Sequence, residues 1–408
     1  MQEERLRKSA DVGPSILLLG FMAALPGFGV DMALPALATT AASLGVPTHG
    51  ASLTISIYMA SFGTAPLIYG PVSDRYGRKP VVMLGSMIFI IAGVGCVLAS
   101  SLPILLACRF IQGAGAAAMT LAMVMVRDAY DDAVLREKIS YIAVAIYVSP
   151  IAAPIAGAAV LALAGWRSIY ASLVAFGMLL LIGVWLSPAE GSQRSSSRRL
   201  KVLAIAKDYL CVLSHPACRG YLATGAASFG TVAAYATGSS LYFVKVAGMS
   251  PNQFSMIFGL TALASACGAY LDSRLAARGT SSRHSVSIGL SVVALASVIL
   301  LGMALIGWMS IPVTVSALTV ITFSAGVVGP GIIQGALQQL PQMSGAVSAA
   351  SNCLAMVAGS LSSGLAATFF DGHTMLSMTG AMLLCSLLAL VSFSTVGRGS
   401  GKQCTVQC

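Results

Sequence analysis

Asp31 and Arg109 each stand inside a long apolar run, where a charge is hard to keep. Ionisable groups within a bilayer are costly and mark ion paths, proton relays or counter-ions. A carboxyl whose access to water and distance from a cation change with conformation can load a proton on one side and release it on the other. Asp31 is therefore read as the proton-coupling residue, with Arg109 coupled to it directly or through hydrogen bonds. The alternative is a static pair that orders the surrounding helices without titrating, although a buried pair is weak evidence of stability alone. Both lie about seven residues, or ~10 Å, below the same surface.

A second cluster, Gly70-Pro71-Val72-Ser73-Asp74-Arg75-Tyr76-Gly77-Arg78-Lys79-Pro80, sets cations and an anion among glycines and prolines. Between apolar runs this composition reads as a tight loop at a membrane surface. Asp74 suits a helix amino terminus, where the dipole is positive, and Arg78 suits a pair with Asp128. Topology alone accounts for Arg75, Arg78 and Lys79, but not for Gly70, Asp74 and Gly77 at their spacing. A weaker copy, Gly268-Ala269-Tyr270-Leu271-Asp272-Ser273-Arg274, follows about half a chain later.

Other chemistry is sparse. The four histidines and nine cysteines show no metal-ligand spacing, so no metal is expected. No nucleophile or acid–base pair is visible and no loop is large enough for a catalytic domain, which argues against an enzyme or receptor. No cysteine falls in an expected external loop, so no structural disulfide is expected.

The elements that must position Asp31 and Arg109 follow from composition. Hydrophobic residues make up 57% of the 408 and charged residues 9%, against roughly 25% charged in soluble domains. Such a chain cannot cover a water-facing surface, and its partner is the lipid bilayer. The net charge of +10 does not imply nucleic acid, because the cations fall in short segments between apolar runs. Runs of about 20 residues can span, and twelve qualify: 14–38, 51–72, 80–100, 102–126, 138–163, 168–187, 219–246, 252–272, 285–307, 312–337, 344–369 and 373–396. The first is too long for a signal peptide and carries Asp31. With the amino terminus in the cytoplasm, all of the 23 Lys and Arg except Arg109, Arg167 and Lys245 fall on the cytoplasmic side, as the positive-inside bias requires. An even number of spans puts both termini there. The stretch 188–218, with Ser-Gln-Arg-Ser-Ser-Ser-Arg-Arg, reads as a flexible basic linker. It divides the chain into a six-helix bundle at 1–187 and a second at 219–408 with a short tail.

Two six-helix halves related along the membrane normal describe the major facilitator fold, and the motifs agree. Residues 70–79 match that superfamily's Gly-x-x-x-Asp-Arg-x-Gly-Arg-Lys pattern at every position. Arg109-Phe110-Ile111-Gln112-Gly113 resembles the Arg-x-x-Gln-Gly motif of its drug:proton antiporters. Pro150-Ile151-Ala152-Ala153-Pro154-Ile155-Ala156-Gly157 resembles their fifth-helix motif, in the variant of the bicyclomycin and chloramphenicol resistance family. Asp31-Met32-Ala33-Leu34-Pro35-Ala36-Leu37, Val126-Arg127-Asp128 and Pro341-Gln342-Met343-Ser344-Gly345 resemble the same family. Family members usually carry an aromatic at Ala33 and a glutamine at Pro66, both expected to face the cavity. Related multidrug antiporters have a second carboxylate deeper in helix 1, where this chain has Ala23, Ala24 and Gly27.

The resemblance implies a proton-driven exporter of small amphipathic compounds in the bacterial inner membrane. It implies no cofactor beyond the proton gradient, and a monomer is expected. It also implies that the 70–80 segment latches the cytoplasmic side and releases when that side opens. Pro150 and Pro154 bend a helix and Gly157 lets another approach, which suits a gate; a kinked helix without special role is the alternative. Tyr58, Gln112, Gly113, Tyr235, Gln334, Gln338 and Asn352 are candidate substrate-cavity groups, or else helix-packing hydrogen bonders. A dedicated metabolite or siderophore transporter of the same fold, importers included, is the alternative function.

Overall fold

Apolar runs become helices because a bilayer offers no partner for an unbonded backbone group. The computed structural model describes residues 15–130, 132–188, 202–308 and 310–399. Both expected cytoplasmic termini, at 1–14 and 400–408, and residues 189–201 of the expected linker lie outside the described residues.

The first bundle comprises α1 (Ile16–Asp31), α2 (Leu37–Leu44), α3 (Thr48–Thr64), α4 (Pro66–Tyr76), α5 (Arg78–Leu98), α6 (Leu102–Ala117), α7 (Ala122–Ala129), α8 (Asp132–Ala164) and α9 (Trp166–Leu186). A helix α10 (Val202–Ser214) precedes the second: α11 (Pro216–Ser240), α12 (Pro251–Ala277), α13 (Ser282–Ile306), α14 (Ile311–Gln339), α15 (Ser344–Thr368) and α16 (Leu376–Gly399). The pairings repeat. In the first bundle α1 packs on α8, α3 on α6, and α5 on α6 and α9. In the second, α11 packs on α15, α12 on α14, and α13 on α14 and α16. Glycine permits some of these contacts: a Cβ on Gly268 of α12 would lie 2.0 Å from the Phe323 carbonyl oxygen of α14.

Among the described residues, ten helices are long and apolar enough to span, and the pair α3–α4, bent by 40°, makes an eleventh. Pro66 opens α4 at that bend. The twelfth expected span, 219–246, is α11 with the π-helical turn Leu241–Val246. It is long enough but too polar to qualify. Its Thr224, Thr231, Thr237, Ser239 and Ser240 are buried, because α14, α15 and α16 screen it. Lipid-facing positions elsewhere are apolar, as at Ile91, Leu98, Leu163 and Leu179. The chain is a multi-pass membrane protein.

Four expectations are corrected. The charged segment is helical up to Tyr76 and again from Arg78, so Gly77 alone makes the turn, at φ 92°. Only glycine adopts that backbone cheaply. The weaker copy lies wholly within α12. The expected flexible linker contains α10, whose Tyr209 and Val212 pack with Cys218 and Leu222 of α11, Ala336 of α14 and Val347 of α15. Cys211 on that helix is disulfide-bonded; a cysteine's place along the chain does not reveal which thiols folding brings together.

Cations cap two neighbouring helices reciprocally. Lys79, at the start of α5, donates to the Trp185 and Ser187 carbonyls ending α9, at 3.0 and 2.6 Å. Arg167, at the start of α9, donates to the Val97 and Ala99 carbonyls ending α5, at 3.1 and 3.0 Å. Both place positive charge at the negative end of a helix dipole.

The bundles meet along α3–α15 and α8–α12. Ser56 and Ser363 hydroxyls lie 2.9 Å apart, Ser360 donates to the Ser56 carbonyl at 2.7 Å, and Ser255 donates to the Pro154 carbonyl at 2.9 Å. These bonds lie in the half of the molecule nearer the Gly45 turn. At the opposite end, near Gly77, the start of α15 is exposed at Ser344 and Gly345, and Gly345 has open space around it. The seam is closed on the Gly45 face.

Candidate functional site

The site is built around α1 and the turn that follows it: three helices donate to α1 carbonyls and a fourth to the turn. Ser149 of α8 donates to Ala24 at 3.2 Å, Tyr58 of α3 to Pro26 at 3.3 Å, and Arg109 of α6 to Gly29 at 2.8 Å. Ser240 of α11, in the other bundle, donates to Leu34 at 2.5 Å. Beyond Asp31 the helix breaks, passes through a 3-10 turn at Leu34–Ala36, and resumes as α2. Pro35 lies in that turn and lacks the N–H that a continuous helix would use.

Arg109 is fully buried yet balanced without a carboxylate. Its Nη1 donates to Gln112 Oε1 at 2.9 Å and its Nη2 to Gly29, in the last turn of α1, where the helix dipole is negative. Its guanidinium carbon lies 4.2 Å from the Tyr58 ring centroid and 5.5 Å from that of Tyr170, within cation–π range. Arg109 Nε and Gln112 Nε2 have no partner.

Asp31 is 9% exposed. Among the described residues it takes part in no salt bridge, so of the two expected couplings to Arg109, direct or through hydrogen bonds, the direct ion pair is not formed here. The reason is helical geometry. Arg109 grips the backbone at Gly29, and a residue two positions on points to nearly the opposite side of a helix. Asp31 instead lies within electrostatic reach of Tyr58 in its own bundle and Tyr235 in the other.

The candidate cavity residues divide. Tyr58, Gln112 and Tyr235 are buried to 2% exposure or less. Tyr58 and Gln112 serve the Arg109 clamp; the Tyr235 hydroxyl lies 2.6 Å from that of Thr261 and its ring stacks on Phe258. Gly113 is a packing position, since a Cβ there would come within 2.4 Å of the Tyr58 carbonyl oxygen. Gln334 accepts from Ser282 at 3.4 Å and so faces α13. Gln338 is exposed and Asn352 half-buried, both toward the Gly77 end. Ala33, expected to line the cavity, packs instead into the second bundle's core with Phe243 and Phe254. Ser149, Tyr170, Ser240 and Ser255 were not singled out in the sequence; serines on long helices carry no spacing signal.

Pro150 and Pro154 lie inside α8, and the Pro154 carbonyl takes the bond from Ser255. Gly157 meets α1: a Cβ there would lie 2.2 Å from the Met32 carbonyl oxygen. The break beside Asp31 thus rests against the glycine of the fifth-helix motif.

At the Gly77 end, Arg78 pairs with Asp74 at 2.5 Å and Asp128 at 3.3 Å, and donates to Ser73 Oγ at 2.5 Å. Asp74 thus faces Arg78, the first residue of α5. Gly70 is half-buried in α4, and the Arg75 guanidinium lies over Tyr76 at 5.1 Å. The Arg78–Asp128 pair joins α5 to α7 within one bundle while the seam is closed at the other end. The Asp128 carboxylate is 39% exposed, and screened pairs of this kind contribute about 0–1 kcal/mol. Asp128→Asn is expected to lower thermal stability by no more than that, read by thermal unfolding in detergent.

Comparison with known proteins places these elements. The model of the Major Facilitator Superfamily matches residues 19–363. A bicyclomycin resistance protein homolog of Haemophilus influenzae is 26% identical over 380 residues, covering 92% of this chain and 94% of its own. Multidrug resistance protein D of Escherichia coli is 27% identical over 384 residues, covering 93% of each. Among solved structures, a bacterial homolog of the human lysosomal transporter Spinster, inward-facing and unoccupied, aligns with a TM-score of 0.74 at 14% identity, over 95% of this chain and 96% of that one.

Proposed function

Because the chain belongs to the major facilitator superfamily, we propose that it exports small amphipathic compounds, of the bicyclomycin or chloramphenicol type, in exchange for protons. Two relatives over more than nine-tenths of its length are named for bicyclomycin and multidrug resistance, which supports drug efflux. The superfamily transports small molecules and is not an enzyme class.

The observation that carries proton coupling is the contrast at α1. Arg109 is balanced by carbonyl, amide and ring partners, whereas Asp31 is buried at the seam between bundles with no ion pair among the described residues. A carboxyl in that position has its charge exposed to any change in the seam. In alternating access one bundle rocks against the other around a central site. With the Gly45 face external, Asp31 takes a proton when that face opens and substrate leaves. With the Gly77 face open to the cytoplasm, the proton departs and substrate enters. The two events compete through the conformational equilibrium. The lysines and arginines near the Gly77 face support a cytoplasmic assignment for it and for both termini. The reading also includes a bacterial inner-membrane location, a monomer, and residues 188–218 as the tether between bundles.

The test is a susceptibility panel in a pump-deficient bacterium, joined to drug-induced proton release from everted vesicles. Expression is expected to protect against at least one amphipathic antibiotic, and the same compound to release protons. A panel with neither response overturns drug efflux in favour of a dedicated metabolite transporter.

A further inference from the structure

The broken turn after Asp31 is held from both bundles at once. On its own side, Gly157 of α8 lies against the Met32 carbonyl and Arg109 grips Gly29. On the other side, Ala33, Leu34 and Leu37 pack into the core of the second bundle with Tyr235, Phe243 and Phe254. One hydrogen bond crosses at this point. The Leu34 carbonyl already accepts the Leu37 N–H of the 3-10 turn, and its second lone pair takes the Ser240 hydroxyl at 2.5 Å. Ser240 is 3% exposed. Opening the external face must part these groups.

We propose that Ser240 is a positioning residue for proton coupling: by holding the Leu34 carbonyl it ties closure of the external face to the surroundings of Asp31. The inference rests on Asp31 being the proton site. Three residues separate Asp31 from Leu34, less than one helical turn, so displacement of the turn displaces the carboxyl. The ionisable groups facing Asp31 are Tyr58 of α3 and Tyr235 of α11, with Arg109 of α6 engaged at Gly29. Of the other helices packed on the turn, α8 carries no charged residue beyond Lys138 and α12 none before Asp272. The change felt by Asp31 is therefore set by where the turn sits against α11. Ser255 supplies the contrast. It also bonds across the seam, at Pro154, but its hydroxyl bonds go to the Pro154 and Pro251 carbonyls rather than to α1 or the turn.

The test separates bias from coupling. Spin labels carried by unnatural amino acids at the exposed positions Ser43 and Asn252 report the distance between bundles on the external face. The ratio of externally open to closed populations is measured from acid to alkaline pH. In the full-length protein this ratio should have an acid and an alkaline plateau, and their quotient is the coupling between proton and conformation. Ser255→Ala should move both plateaus by one common factor and leave the quotient unchanged. Ser240→Ala should shrink the quotient, by about three-fold for one lost hydrogen bond, and Ser240→Thr should restore it. Wild-type protein without pH dependence would overturn the proton-site reading and this inference with it. A pH-dependent wild type whose quotient survives in Ser240→Ala overturns this inference alone.

Discussion

Asp31→Asn is expected to abolish transport driven by a pH difference while leaving a folded protein in the membrane. Both halves of that expectation come from the surroundings of the carboxyl. It is 9% exposed and takes part in no salt bridge among the described residues. Asparagine matches it in shape and carries no charge, so the change breaks no ion pair and removes a buried charge that is costly to keep. Stability should be unchanged or slightly raised. What asparagine cannot do is bind and release a proton, so drug-induced proton release should fall to background. Substrate binding should become independent of pH, because the competing ligand is gone. Proteoliposomes with an imposed pH gradient provide the measurement, and chromatographic monodispersity of the variant guards against misfolding. Gradient-driven transport at the wild-type rate in Asp31→Asn would remove this residue from the coupling mechanism.

Arg109→Lys should behave differently, losing stability as well as transport. The guanidinium reaches two acceptors on two helices, Gly29 of α1 and Gln112 of α6, and lies between the rings of Tyr58 and Tyr170. An ammonium is a compact point charge and cannot reproduce a planar fork stacked on rings. Hydrogen bonds to a charged group contribute about 1.5–3 kcal/mol each, and a desolvated cation–π contact adds about 2 kcal/mol. Loss of one arm and part of the stacking is expected to destabilise the protein by about 2–4 kcal/mol, read as an earlier thermal unfolding transition. Because the clamp fixes the turn before the α1 break, transport should fall at least about ten-fold, the equivalent of one 1.4 kcal/mol misplacement. A lysine variant as stable and active as wild type would show that the clamp does not position the site. The two variants thus separate a residue that carries the proton from one that places it.

The sequence contained much of this arrangement. Two charges inside apolar runs identified Asp31 and Arg109, because few side chains survive in lipid without a purpose. The glycines and charges from Gly70 to Lys79 marked the region of the turn, though not that Gly77 alone makes it, and Arg78 suited the pair it makes with Asp128. What stayed hidden was the direction in which side chains point. Asp31 and Arg109 share a depth, which left direct and hydrogen-bonded coupling both open, and the two residues of helical phase between Gly29 and Asp31 separate the guanidinium's acceptor from the carboxyl. Gln112 and Gly113 looked like cavity groups because polarity and smallness in a span suit a ligand as well as a neighbouring helix. Ser240 and Ser255 could not be distinguished from the many other serines. Their role depends on which carbonyls the opposite bundle leaves available, and that is a property of packing rather than of local pattern.

The polarity of α11 has a consequence for how the chain is made. Its buried threonines and serines find their protein surroundings mainly in α14, α15 and α16, and those helices are the last to leave the ribosome. For the time taken to translate more than a hundred residues, α11 has no lipid-compatible shield of its own. The order of synthesis and the order of packing disagree in the second bundle. Its insertion is therefore a collective event, completed only when the carboxy-terminal helices arrive to enclose a segment the bilayer alone would not retain.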